Sequence, residues 1–299
     1  MSLMASRHGK FQGKVFYLAG GRRHHVLHPE WLEENGYAFT DIEWVDAEDM
    51  AAIPLGAPAP RQWAPSEFRS PPCTTMAALR EIITSQLSAQ GIEFGAGSNP
   101  LPAPLHCNVR YADRIQQAHF IEQYHEGQEA DTVTPDLNCE IGRIEGVSDG
   151  SLDFVLACHV IEHTRNPLLA FQEVYAKLRR GGRFVLVVAD KLQTFDRERE
   201  LTSLEHIILD FEKPSRDRDV WHYLEFYTKP FPQPVEELYG FIGDKFARAH
   251  DIHYHTWHYE SFAEMVAYAQ PNIAPWSEVW SHPTPVANGG TEFYFVLTK

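Results

Sequence analysis

The chain has 299 residues, enough for one large domain and a small accessory module, and its 26 basic against 41 acidic residues leave a formal charge of −15. On average that charge repels polyanions, which argues against a nucleic-acid partner and against an anionic membrane surface. No apolar run is long enough for membrane insertion, and four scattered cysteines (Cys73, Cys107, Cys139, Cys158) without a Cys-x-x-Cys pair exclude a zinc knuckle or disulfide framework. Thiols kept reduced in a cytoplasmic setting are the expectation.

The first eight residues lack the apolar core of a signal peptide, and a second Met at position 4 makes the first three residues read as an added leader. Val15 to Leu18 is expected as a strand, Gly20-Gly21 as a hairpin turn and His24 to His28 as the return strand. Short helices are expected from Pro29 to Glu34, ended by Gly36, and from Val45 to Ile53, opened by Asp46. His24, His25 and His28 read as surface turn residues and not as a metal site. Tyr17, Leu18, Gly20, Gly21, Arg23, Pro29, Gly36 and Tyr37 together resemble a small module found in bacterial multidomain proteins, a resemblance that implies no chemistry. Residues 1–53 are thus read as a β-hairpin/helix module. Prolines at 54, 58, 60, 65, 71 and 72 make 54–72 a semi-rigid linker, leaving 73–299 as the main domain.

Apolar residues at helical spacing (Met76, Leu79, Ile83, Leu87) predict an amphipathic helix from Met76 to Gln90. An apolar strand then leads into Glu93-Phe94-Gly95-Ala96-Gly97. Glycines allow a tight turn whose backbone N–H groups face a ligand, and Glu93 beside them suits a cationic ammonium better than a pyrophosphate. A second strand, Val109 to Tyr111, closes on Asp113, where open α/β sheets hold a ribose diol; a helix N-cap is the competing role. Thr132 to Pro135 reads as a third strand ending at Asp136-Leu137-Asn138. Leu152 to Ala157 reads as a fully buried strand, Pro167 to Leu178 as a helix stopped by Gly181-Gly182, and Phe184 to Val188 as another buried strand. This alternation predicts an α/β fold, a doubly wound, mostly parallel sheet with helices on both faces.

Glu-x-Gly-x-Gly at 93–97, Asp113, Leu152-Asp153-Phe154-Val155-Leu156, His159-Val160-Ile161-Glu162-His163 and Leu178-Arg179-Arg180-Gly181-Gly182 occur in the order of class I S-adenosylmethionine (SAM)-dependent methyltransferases, which the chain resembles. Arg180 stands where that family usually has proline. The resemblance implies a seven-stranded sheet and SAM as cofactor. It implies that Glu93, Gly95 and Gly97, with Phe94 and Ala96 in the same turn, hold the methionine end. It implies that Asp113 takes the ribose hydroxyls, that Arg114 flanks the adenine, and that Asp136 and Leu137 approach its edge. Cys158 and His159 would lie beneath the sulfonium, with His163 among the cofactor contacts. Asp190-Lys191, Thr194 to Arg197, Leu201-Thr202, Leu204-Glu205-His206, Asp210 and His253 to Trp257 are similar to a bacterial subgroup associated with glycosyltransferases and surface-polysaccharide enzymes.

The insertion at 192–231 carries His206, Asp210, Trp221, His222, Tyr223 and Tyr227, side chains suited to a small polar acceptor such as a sugar. A helix over Leu201 to Asp210 puts His206 and Asp210 four apart on one face, a pair able to deprotonate a hydroxyl. Alternation over 251–258 puts His253, His255 and Trp257 on one face of a strand, with His255 as base or acceptor contact and a buried supporting histidine as its competing role. The expected reaction moves a methyl group to oxygen, or nitrogen, with His206, His255 and Asp210 as catalytic candidates and no metal. His159-x-x-Glu162-His163 also matches an inverted zinc-peptidase pattern, but it follows a buried strand and precedes Asn166-Pro167, a loop and not mid-helix. Two alternatives remain: metal-assisted transfer through Glu162-His163, and a non-catalytic SAM-binding protein. A nicotinamide-binding turn is disfavoured because Pro100 occupies the position of its third glycine. Thr291 to Leu297 is expected as a final antiparallel strand.

Overall fold

The computed structural model describes residues 2–69, 71–72, 74–115, 117–125 and 131–299. Contacts divide the chain into two units, Met1–Glu140 with Asp153–Leu156, and Ile141–Leu152 with Ala157–Lys299.

The first unit opens with a four-stranded sheet of order β3-β2-β1-β4, made from β1 (Ser2–Ala5), β2 (Val15–Ala19), β3 (Arg22–His25) and β4 (Ile42–Trp44). Residues 2 and 3, expected as a leader, are part of the fold: Leu3 pairs with Tyr17 and Ile42 and is buried with Trp31 and Leu32. The short helices are α1 (Glu30–Glu34) and α2 (Ala47–Ala52). The proline-rich stretch does not hang free. Arg23 bridges to Leu55 and Val26 to Ala59, and Leu55, Ala57, Ala59 and Trp63 are buried before α3 (Pro65–Arg69).

Helix α4 (Met76–Thr84) starts where the Thr75 hydroxyl accepts from the Ala78 N–H, and buries Leu79, Ile82 and Ile83. Strand β5 (Gln90–Phe94) pairs in parallel with β6 (Asn108–Asp113), which pairs in parallel with β7 (Leu137–Asn138); α5 (Gln117–His125) lies between β6 and β7 in sequence. The expected strand over 132–135 is not formed. Asp136 explains this locally: its Oδ2 accepts from the Tyr111 N–H at 2.8 Å, so a side chain takes the β6 donor and laddering starts only at Leu137.

The main sheet has seven strands in the order β10-β11-β9-β8-β5-β6-β7, with β8 (Leu152–Cys158), β9 (Leu178–Ala189), β10 (Glu278–His282) and β11 (Glu292–Thr298). It is mostly parallel, with β11 antiparallel to both β9 and β10, the doubly wound pattern expected. Asn166 caps α6 (Pro167–Lys177), with Pro167 at its first turn. The helix does not stop at the glycines, because β9 begins at Leu178 and contains them. Gly181, at φ +76°, donates its N–H to the Lys299 carbonyl at 2.7 Å. The second unit also contains α7 (Leu204–Glu212), α8 (Arg216–Thr228), α9 (Val235–Ala247) and α10 (Tyr259–Asn272). Residues 251–256 are not a paired strand. The Glu162 carbonyl accepts from Tyr254 N–H and His255 N–H, and His253 through Trp257 are all buried, so alternation does not sort them.

Candidate active site

In the first unit, the turn after β5 has Gly95 at φ +64° and Gly97 at φ +50°, conformations that an L side chain resists. A Cβ on Gly97 would also lie 2.5 Å from Phe120 Cζ. A pocket beside this turn is lined by Ala96, Gly97, Tyr111, Asp113, Phe120 and Val133. It sits where β5 and β6 end, the side of a parallel sheet on which ligands settle. Asp113 Oδ1 accepts from the Ile115 N–H at 2.8 Å, so its side chain shapes the turn and also lines the pocket. Arg114 follows it, half-buried.

Glu93 is fully buried. Leu101 N–H donates to its Oε1 at 2.7 Å, while Oε2 has no hydrogen-bond partner. Burial raises its pKa to about 8, against the smaller opposing pull of the Leu101 hydrogen bond and Arg80. The carboxyl is therefore neutral at pH 7 until a cation approaches it. Phe94 faces the core. Leu137 is half-buried in β7, and both Asp136 oxygens are engaged: Oδ2 by Tyr111 N–H and Oδ1 by the Arg22 guanidinium at 2.8 Å. Arg22 also lies over the Tyr111 ring. That use of the N-terminal hairpin was not visible in the sequence.

In the second unit, β8 ends at the half-buried Cys158. None of Cys107, Cys139 and Cys158 is in a disulfide, and Cys73 lies outside the described residues. His159 has φ +51°; its Nδ1 donates to Glu162 Oε1 at 3.2 Å and its Nε2 to Glu292 Oε2 at 2.8 Å. Burial works against protonation here, but the two carboxylates win and raise His159 to about 9. In return Glu162, despite burial, is held down at about 2. His163 Nδ1 lies 3.1 Å from Asp251, and its ring meets His253 edge-on. Glu162 and His163 therefore turn to different partners, although Glu162 Oε2 has no hydrogen bond. Asp196, Arg199 and His253 form a further buried network that the sequence did not reveal: Arg199 Nη1 donates to Asp196 and to the His253 carbonyl, each at 2.9 Å.

The catalytic candidates meet in one cluster. Ser203 caps α7 by accepting from the His206 N–H, and one turn later Asp210 Oδ2 lies 3.0 Å from His206 Nε2. His222, from α8, brings its Nε2 within 3.2 Å of the same atom. His255 donates from Nε2 to the Arg165 carbonyl at 3.0 Å, and its Nδ1 has no partner. Arg218 Nε holds Asp210 Oδ1 at 2.9 Å. Although burial opposes it, hydrogen bonds from His206 and Arg218 keep Asp210 below the usual carboxylate range. Burial, then neighbouring imidazoles, lower His222 to about 4 and His255 to about 3, so both are neutral at pH 7. The His255 ring is wholly buried, which fits the supporting role that the sequence left open beside that of base, and the half-exposed His206 is the member that solvent reaches. His222, among the insertion side chains read as suited to an acceptor, reaches the cluster because α8 carries it there.

Residues 92–186 match the family model described as "Methyltransferase domain". No curated protein matches the chain. Among solved structures, it is similar to the CurJ carbon methyltransferase at 12% identity, covering 74% of this chain and 53% of that one, with a TM-score of 0.41. A SAM-dependent methyltransferase from Thermotoga maritima matches at 15% identity over 70% and 82% of the two chains, with a TM-score of 0.36. One from Methanococcus maripaludis matches at 15% over 75% and 84%, with a TM-score of 0.34. The chain thus spans about half the length of the CurJ structure. From the strand before the glycine turn into β9, residues 92–186 are thus similar to a methyltransferase domain.

Proposed function

We propose that the protein transfers a methyl group from SAM to an oxygen, or a nitrogen, of a small polar acceptor such as a sugar. The observation that carries this reading is the turn at 93–97 with the pocket beside it: two left-handed glycines and, at the start of the turn, a buried carboxyl oxygen without a partner. These fit SAM. Main-chain N–H groups at the turn suit its α-carboxylate, and Glu93 Oε2 suits its ammonium, which would draw the carboxyl into its charged form. Asp113 is the candidate for the ribose hydroxyls, with Arg114, Leu137, Cys158, His159 and His163 as further candidate contacts. SAM, when bound, supplies an electrophilic methyl group on sulfonium sulfur, so positioning the acceptor provides much of the acceleration. Acceptor activation is assigned to the cluster around His206, Asp210 and His255. The motifs at 190–210 and 253–257 support a place beside polysaccharide-building enzymes, and the acidic charge disfavours a nucleic-acid acceptor.

The test is transfer of labelled methyl from SAM to a panel of sugars, nucleotide sugars and amines. Transfer to a hydroxyl or amine acceptor, lost in His206→Ala with binding of S-adenosylhomocysteine (SAH) retained, is the expected result. SAH binding with no transfer to any acceptor would favour the non-catalytic reading. Glu93→Gln is expected to weaken SAH by about 1–3 kcal/mol in calorimetry, the cost of removing a charged hydrogen-bond partner; unaltered affinity would remove Glu93 from the site.

A further inference from the structure

We propose that His206, Asp210, His222 and His255 bind one divalent transition-metal ion of the zinc class. One ligand atom from each lies within 4.8 Å of the others, and three of the four residues are buried. The closest separations, 3.0 Å from His206 Nε2 to Asp210 Oδ2 and 3.2 Å to His222 Nε2, compare with about 3.3 Å between neighbouring ligands at zinc bond lengths near 2.05 Å.

Hydrogen bonding leaves one buried atom of this group, His255 Nδ1, unmet. His206 Nε2 faces both a carboxylate oxygen and another imidazole nitrogen, so its one N–H is divided between them. His255 is the independent witness. Its Nε2 is committed as donor to the Arg165 carbonyl, which leaves Nδ1 as the lone-pair atom, buried and without a partner. A buried acceptor left unmet is costly, and one cation would satisfy all four atoms together.

The surroundings are those of a supported metal site. Arg218 orients Asp210 through its other oxygen, the Arg165 carbonyl orients His255, and the Tyr254 ring packs edge-on against His222. Three imidazoles and one carboxylate, without a thiolate, form a borderline donor set that favours zinc, cobalt or iron(II) over calcium or magnesium. The ligands come from α7, α8 and the 251–256 segment, so the ion would fasten three elements that share no sheet. With it in place, the cluster would act on an acceptor as a Lewis acid and not through an unbound imidazole base. The binding itself does not rest on the methyl-transfer reading.

The test uses the full chain, stripped by chelator dialysis and titrated with Zn²⁺ against a chromophoric chelator, then with Co²⁺ by visible absorption. One tightly bound equivalent is expected, with a cobalt d–d band. His222→Ala and Asp210→Asn should each weaken binding by at least about 100-fold while circular dichroism stays native; His282→Ala, outside the cluster, should bind like the parent. His255→Gln serves as a further variant if either of the first two fails to fold. Absence of a stoichiometric site in the folded parent, or folded cluster variants that bind as the parent does, would overturn the proposal. SAH titration on the same stripped protein reads the cofactor site separately, so failure here is distinguishable from failure of the methyltransferase reading.

Discussion

Gly97 is under two constraints at once, a φ of +50° and a Phe120 ring 2.5 Å from where a Cβ would stand. Gly97→Ala should therefore lower stability by about 1–3 kcal/mol in chemical denaturation and weaken SAH by at least about tenfold; parent-like values for both would mean that the turn relaxes freely. His159 makes a second residue-scale prediction. Its folded pKa of about 9 lies above its ordinary 6.5, so its contribution is complete below pH 6.5 and is lost as pH rises through about 9. The Tm difference between the parent and His159→Gln should narrow between pH 6.5 and 9. A constant difference would show that the imidazolium bridging Glu162 and Glu292 stabilises nothing.

At the scale of elements, the N-terminal hairpin is bound to its own unit by buried charge. Arg23 is almost wholly buried, donates from Nε to the Met50 carbonyl at 2.9 Å and pairs with Asp131. Arg23→Ala should cost about 1–3 kcal/mol in denaturation, because it empties a buried position and leaves the Met50 carbonyl without its donor. A loss below about 0.5 kcal/mol would mark the pair as a weak surface contact. The elements legible in the sequence were those whose evidence is local. Buried strands such as β8 are unbroken apolar runs, and the His206–Asp210 face follows from helical spacing. Elements defined by distant partners were not. β1 and β4 are short and exist through pairing with each other and β2. The glycines of β9 mimic a stop, but Gly181 is held by Lys299, far along the chain. Residues 251–257 alternate like a strand, yet are covered on both sides. His222 joins the cluster only because α8 carries it there.

For the molecule as a whole, the charge of −15 fits the proposed ligands: SAM is a cation at neutral pH, and a neutral sugar is indifferent to the field. In the first unit the glycine turn and Asp113 border one pocket, to which Glu93 is assigned by proposal, and the histidine cluster lies in the second unit. The methyl-transfer reading depends on the first of these recognising an amino-acid-bearing nucleoside. Isothermal titration of the purified chain with SAH tests this most directly. One equivalent should bind the parent, with affinity falling in Glu93→Gln and Gly97→Ala and NAD giving no heat. Silence with SAH up to millimolar concentrations from a natively folded chain would contradict the account.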